Sequence, residues 1–118
     1  MNHKDLDVWK KSIDLVETIY KISAEFPASE IYGLTNQIRR ASVSVSSNIA
    51  EGAGRNSDKE LLYFLNVALG SLAEVETQVE IALRLKFIST AESIFKQITE
   101  VRKLSIGFRN YINKKSNH

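Results

Sequence analysis

Seven apolar residues, Leu61, Leu65, Ala68, Leu72, Val75, Val79 and Ala82, follow one another at steps of four, three, four, three, four and three. A 3.5-residue period held for three heptads is the seam of a helix that winds left-handedly against others. Strands repeat at two residues, and an isolated amphipathic helix at 3.6, so the pattern commits this stretch to a helical bundle. A helix over 57–85 would be about 40 Å long at about 1.5 Å per residue. Leu62 and Leu69 add a second stripe beside the seam. Gly70 lies mid-helix, where it costs about 1 kcal/mol relative to alanine. Close approach of a neighbouring helix is the expected reason for it.

The other segments supply the neighbours. Over 5–25, Leu6, Trp9, Ile13, Val16 and Tyr20 form a heptad-like seam, with Val8, Leu15, Ile19 and Ile22 beside it. So wide an apolar face contacts more than one partner. Pro27 disfavours helical geometry at Phe26 and ends the segment. A short connection over 28–32, with one helical turn of its own, leads to a second helix over 33–51. Its apolar face is Leu34, Ile38, Ala41, Val45 and Ile49. Val43, Val45 and Ile49 lower its propensity, so packing must hold it. Gly52-Ala53-Gly54-Arg55-Asn56 reads as a turn in which either glycine takes the left-handed conformation that closes a helix. Ser57 with Glu60, and Ser89 with Glu92, read as capping boxes. A last helix over 90–113 carries Ile94, Ile98, Val101, Phe108 and Ile112, with Ser105 filling the gap. The tail 114–118 is expected to fray. Four helices on short connections give an all-α, up-down-up-down antiparallel four-helix bundle, expected as one domain over 1–118.

Composition removes most catalytic chemistry. The chain has no cysteine, and its two histidines are His3 and His118. Metal-binding bundles need inward Glu-x-x-His pairs, and nucleophilic catalysis needs a base beside its nucleophile. Neither is expected, so the chain reads as no enzyme, with no cofactor, no metal and no small-molecule substrate. Glu76 and Glu80 stand one turn apart and suit a hard cation, but a solvated acidic face is the preferred reading. The Gly52–Arg55 stretch follows a helix and lacks the Lys-Ser/Thr of a phosphate loop. Net charge is +2. From Lys86 onward seven basic residues face two acidic ones. That excess reads as a solvated helix face with cations near a helix C-terminus, against a nucleic-acid patch. The N-terminus is polar, and the uncharged run 61–73 is shorter than the roughly 20 residues that span a bilayer. The chain is expected to be soluble and cytoplasmic, with no membrane partner.

Beside the apolar face of the second helix runs a polar one: Gln37, Ser44, Asn48 and Glu51. Two readings are open. The stripe meets Ser71, Glu74 and Gln78 of the third helix in a buried network that fixes register. Or it joins Arg39, Arg40 and Arg55 in a binding surface. Arg39 and Arg40 lie about 100° apart on a helix, so at most one shares the stripe fully. Apolar supply also exceeds what one small bundle needs, which predicts a homo-oligomer, with a cyclic one a common solution.

The run Gly33-Leu34-Thr35-x-Gln37-Ile38-Arg39-Arg40-Ala41, followed by Ser44-x-x-Ser47-Asn48-Ile49-Ala50-Glu51-Gly52, resembles a known family. It is that of the four-helix-bundle proteins encoded within intervening sequences of bacterial large-subunit ribosomal RNA genes. Leu6-x-Val8-Trp9, Phe26-Pro27 and Gly70-Ser71-Leu72-x-Glu74 match as well, so the resemblance spans nearly the whole chain. It implies a non-enzymatic, cytoplasmic bundle that assembles into a ring, often a pentamer. It further implies a distant similarity to the accessory protein of diversity-generating retroelements, a basic pentamer that contacts nucleic acid and reverse transcriptase. The signature residues carried over are Gln37, Arg39, Arg40, Ser44, Asn48, Glu51, Gly52, Gly70 and Glu74. Ser46 stands where the family often has a helix-kinking proline, so a straighter second helix is expected. Two functions follow. In one, Arg39, Arg40, Arg55 and Lys59 contact the phosphates of structured RNA. In the other, the chain is a structural adaptor for a protein partner.

Overall fold

The computed structural model describes residues 1–116. Four helices, α1 (Asp7–Ser23), α2 (Leu34–Ala53), α3 (Asp58–Arg84) and α4 (Glu92–Ser116), carry the fold, with short 3-10 turns at His3–Asp5 and Ala28–Glu30. Contacts between side chains fix their directions. Ser12 meets Ser46 and Arg39 meets Ser23, so α1 and α2 run oppositely. Ser44 meets Ser71, Glu76 meets Arg102 and Asp58 meets Ser116, which reverses each later helix on the one before. Each helix packs on its sequence neighbours and α4 closes on α1, while no close backbone approach joins the diagonal pairs among the described residues. The chain is therefore an up-down-up-down bundle, 51 Å long and 24 by 20 Å across.

The α3 seam is fully buried, from Leu61 to Ala82, and so is the apolar face of α2. Ile94, Ile98, Val101, Ser105 and Ile112 complete the core from α4, where the Ser105 hydroxyl donates to the Val101 carbonyl at 2.8 Å. On α1 the seam is rotated from the expected one. Val8, Ser12, Leu15, Ile19 and Ser23 are buried, whereas Leu6, Trp9, Ile13 and Val16 are half-exposed and Tyr20 is exposed. The cause is Ser12. Its hydroxyl lies 2.9 Å from that of Ser46, and two small residues at this crossing bring the serine face of α1 inward. Ser46 thus ties α1 at the position where a proline was the alternative, and α2 runs unbroken through it.

Helix ends depart from expectation in four places. First, α2 does not close on a left-handed glycine: no glycine has positive φ, and Gly54 caps it at φ −84°. Second, the left-handed residue is Lys86, at φ 65° after α3. Its N–H bonds to the Leu83 carbonyl at 3.1 Å and that of Phe87 to Ala82 at 2.9 Å, the two bonds of a Schellman closure. Third, at the start of α3 the Ser57 hydroxyl accepts from the Glu60 N–H, but the Glu60 carboxylate meets the Ser57 hydroxyl rather than its N–H. Fourth, α4 begins at Glu92, so Ala91 rather than Ser89 occupies the cap, its carbonyl accepting the first helical bond from Phe95. The start of α2 has an unforeseen cap. Glu30 accepts from the Leu34 N–H at 3.1 Å, placing a carboxylate on the positive end of the helix. Of the tail expected to fray, Lys114–Ser116 is helical, with Ser116 bonded to Asp58 at 2.7 Å. Asn117 and His118 lie outside the described residues.

Candidate functional site

The residues singled out in the sequence fall in three places around α2. On the α1 side sits Arg39. Its Nε donates to Ser23 Oγ at 2.8 Å and a terminal nitrogen to the Tyr20 carbonyl at 3.3 Å, with the guanidinium 4.7 Å from the centre of the Tyr20 ring. A cation here satisfies carbonyl acceptors and favours the negative end of α1. Arg39 is therefore a clamp between two helices.

At the α2–α3 turn, Arg55 pairs with Glu51 and lies 4.8 Å from the centre of the Phe64 ring. Gly52 beside them is buried. A Cβ on it would stand 3.0 Å from Phe64 Cβ, 3.1 Å from Leu61 Cδ1 and 3.3 Å from the Leu61 carbonyl. The glycine is there to let α3 start against α2. Lys59, one turn on, is exposed and has no carboxylate partner among the described residues.

Between α2 and α3 lies an open groove of about 400 Å³, lined by Gln37, Arg40, Ala41, Ser44, Ser71, Glu74 and Gln78. The Ser44 and Ser71 hydroxyls are 2.8 Å apart, and Asn48 Nδ2 donates to the Ser44 carbonyl at 2.8 Å and its hydroxyl at 3.0 Å. The polar stripe is thus neither a sealed network nor a free surface. Ser44 and Asn48 are half-buried and bonded, and Gln37 and Glu51 are exposed. Gln78, which the sequence offered only as a neighbour of the stripe, brings a buried Oε1 with no hydrogen-bond partner.

The four cations expected at phosphates do not form one patch. Arg39 and Arg55 are held by their own chain at opposite ends of α2, and Arg40 and Lys59 are left without ion pairs among the described residues. Gly70 is not at a helix crossing either: nothing lies within 4 Å of where its Cβ would be. Glu76 and Glu80 are occupied, Glu76 by both ends of Arg102 and Glu80 by Arg84. No group of three potential metal ligands forms among the described residues. Nor is any described helix long and apolar enough to cross a membrane.

A family model described as 23S rRNA-intervening sequence protein matches residues 4–107. No curated protein matches the chain. A crystal structure from Bacteroides thetaiotaomicron VPI-5482, described as a protein of unknown function from the S23 ribosomal protein family, is similar at 27% identity. The match covers 87% of this chain and 95% of that one, with a TM-score of 0.80.

Proposed function

The chain belongs to the 23S rRNA-intervening sequence protein family, and on that premise we propose that it is a non-catalytic, self-associating bundle that presents repeated cations to structured RNA. The observation that carries the reading is the solvent face of α3. Tyr63, Val67, Gly70, Glu74, Thr77 and Ile81 step by four, three, four, three and four, a second heptad register with its back to the core. Tyr63 is 56% and Ile81 40% exposed. A surface helix ordinarily turns a charged face to water, whereas a seam with an open glycine at its middle suits another helix. Leu6, Trp9, Ile13 and Val16 form a different half-exposed stripe on α1, diagonal to α3. Two unlike faces on one chain join copies head to tail, and such contacts close into a ring when the rotation permits. A pentamer is the number implied by the family resemblance.

In a ring, Arg40 and Lys59 recur once per subunit, and weak phosphate contacts gain avidity. A salt titration tests this, using the purified protein and a transcript of an rRNA intervening sequence. Arg40→Gln with Lys59→Gln should weaken binding and flatten the dependence of affinity on salt by about two counterions for each subunit that engages the RNA. An unchanged slope would remove RNA from the proposal. One observation favours a second reading, a protein-binding adaptor. Arg39 and Arg55, two of the four cations expected at phosphates, are spent on contacts within the chain.

A further inference from the structure

We propose that the solvent face of α4 lies across the minor groove of double-helical RNA, a surface that rests on the RNA reading above and names the form of RNA it takes. Lys103, Gly107, Asn110 and Lys114 step by four, three and four, so they share one side of α4, and all four are exposed. The opposite side carries Ile98, Val101, Ser105 and Ile112 into the core. From Val101 to Ser116 the helix has five cations and no carboxylate side chain. Two of them are neutralised from α3, Arg102 by Glu76 and Lys115 by Asp58. Arg109 donates at 3.1 Å to the side-chain carbonyl of Asn66, an uncharged partner. Lys103 and Lys114 have no ion pair among the described residues. The helix dipole accounts for cations in the last turn, Lys114 among them, but its effect fades within that turn. Lys103 stands about three turns back.

Gly107 stands between the two lysines. A glycine inside a helix weakens it, and nothing lies within 4 Å of where this one's Cβ would be. Packing within the chain does not ask for it, so it suits the close approach of something else. Gly70 shares its stripe with Val67 and Ile81, which suits another helix. Gly107 is flanked by lysines, which would repel the same face of a second copy and attract a polyanion. The surfaces offered for self-association are on α1 and α3, and this one belongs to neither. Lys103 and Lys114 are about 16 Å apart along the axis, so a helix lying across a groove sets one ammonium at each rim. The minor groove of double-helical RNA is wide and shallow and displays 2′-hydroxyls. Gly107 lets the backbone of α4 down onto that floor. The Asn110 amide, donor and acceptor at once, meets 2′-hydroxyls that are the same. The minor groove of B-DNA is about 6 Å wide, too narrow for a helix that measures about 10–12 Å with its side chains. The DNA groove that does admit a helix, the major one, is read through base edges, for which this stripe has a single amide.

The test measures fluorescence anisotropy of the full chain with a blunt RNA duplex, a DNA duplex of the same sequence and one RNA strand alone. The RNA duplex should bind most tightly. Lys103→Gln with Lys114→Gln should flatten its salt dependence by about two counterions for each subunit that engages the duplex. Gly107→Leu keeps every charge and favours the helix, so circular dichroism should be unchanged. It should still weaken duplex binding about tenfold, the size of one or two hydrogen bonds lost at the groove floor. Equal or tighter binding of the DNA duplex or the single strand overturns the duplex-RNA surface. So does wild-type affinity for the duplex in Gly107→Leu, or an unchanged salt slope in the lysine variant. In those cases a transcript of an rRNA intervening sequence that still binds leaves the RNA reading standing. Binding to no duplex, strand or transcript overturns both. A fall in oligomeric mass in Gly107→Leu or in the lysine variant assigns the stripe to a contact between copies, and likewise overturns the surface.

Discussion

Gly52 and Gly70 have opposite surroundings, and each makes a residue-scale prediction. A methyl at Gly52 meets α3 side chains and a carbonyl at 3.0–3.3 Å. Gly52→Ala should destabilise the chain by about 1–3 kcal/mol, the usual cost of overpacking, read as a lower urea midpoint. At Gly70 the methyl meets nothing. Gly70→Ala should raise the stability of the dissociated chain by up to about 1 kcal/mol through helix propensity. On the proposed assembly another copy supplies the close helix approach that excuses the glycine, so the same change should weaken self-association. A Gly70→Ala chain that is more stable and equally associated would leave the glycine unexplained. Both glycines stand out in the sequence. Their roles were legible only in part, because a residue name does not say which face of its helix has a neighbour. The expected crossing is at Gly52 and the expected turn geometry is at Lys86.

Among the elements, α3 is the most constrained, and its last turn is its weak point. Lys86 holds a left-handed conformation that costs a non-glycine residue roughly 1–2 kcal/mol. Lys86→Gly should therefore stabilise the chain by about 0.5–1 kcal/mol, after the glycine's greater freedom when unfolded is subtracted. Thermal or urea unfolding reads the change, and a loss of stability would contradict it. Nothing in the sequence marked Lys86, since lysine has no turn preference of its own. The extent of α3 followed from its period, because a 3.5 step over three heptads leaves one geometry for it, whereas the cap of α4 and the closure of α2 did not follow from the sequence. On α1 two apolar stripes competed for the core. The heptad-like seam read from the sequence is the one with Trp9 and Tyr20, and the structure buries the other, with the Ser12–Ser46 contact in it. A buried serine pair between helices has no hydrophobic signal, so that choice was invisible before the fold was known.

At the scale of the molecule, the apolar residues displaced from the core become its outward surface. The α1 stripe and the α3 solvent face lie on diagonal helices with no close backbone approach, which leaves two unlike surfaces on the chain. The groove between α2 and α3 runs beside the second of them and shares Glu74 with it. Val67→Asp with Ile81→Asp should break association and leave the helical circular dichroism intact, since both side chains are already partly in water. The polar members of the groove were legible as a helical stripe. Their contacts were not, because Arg40 and Lys59 look no different in the sequence from Arg39 and Arg55, which make contacts within the chain.

Light scattering on the purified chain tests the central claim, that the chain works as an assembly of copies. One chain has a mass of 13.3 kDa. An assembly of copies gives a single species of several chain masses, which falls to one chain mass in the Val67→Asp, Ile81→Asp double variant. A wild-type mass of one chain at micromolar concentration and above would contradict it, and the ring and its avidity for RNA would fall together.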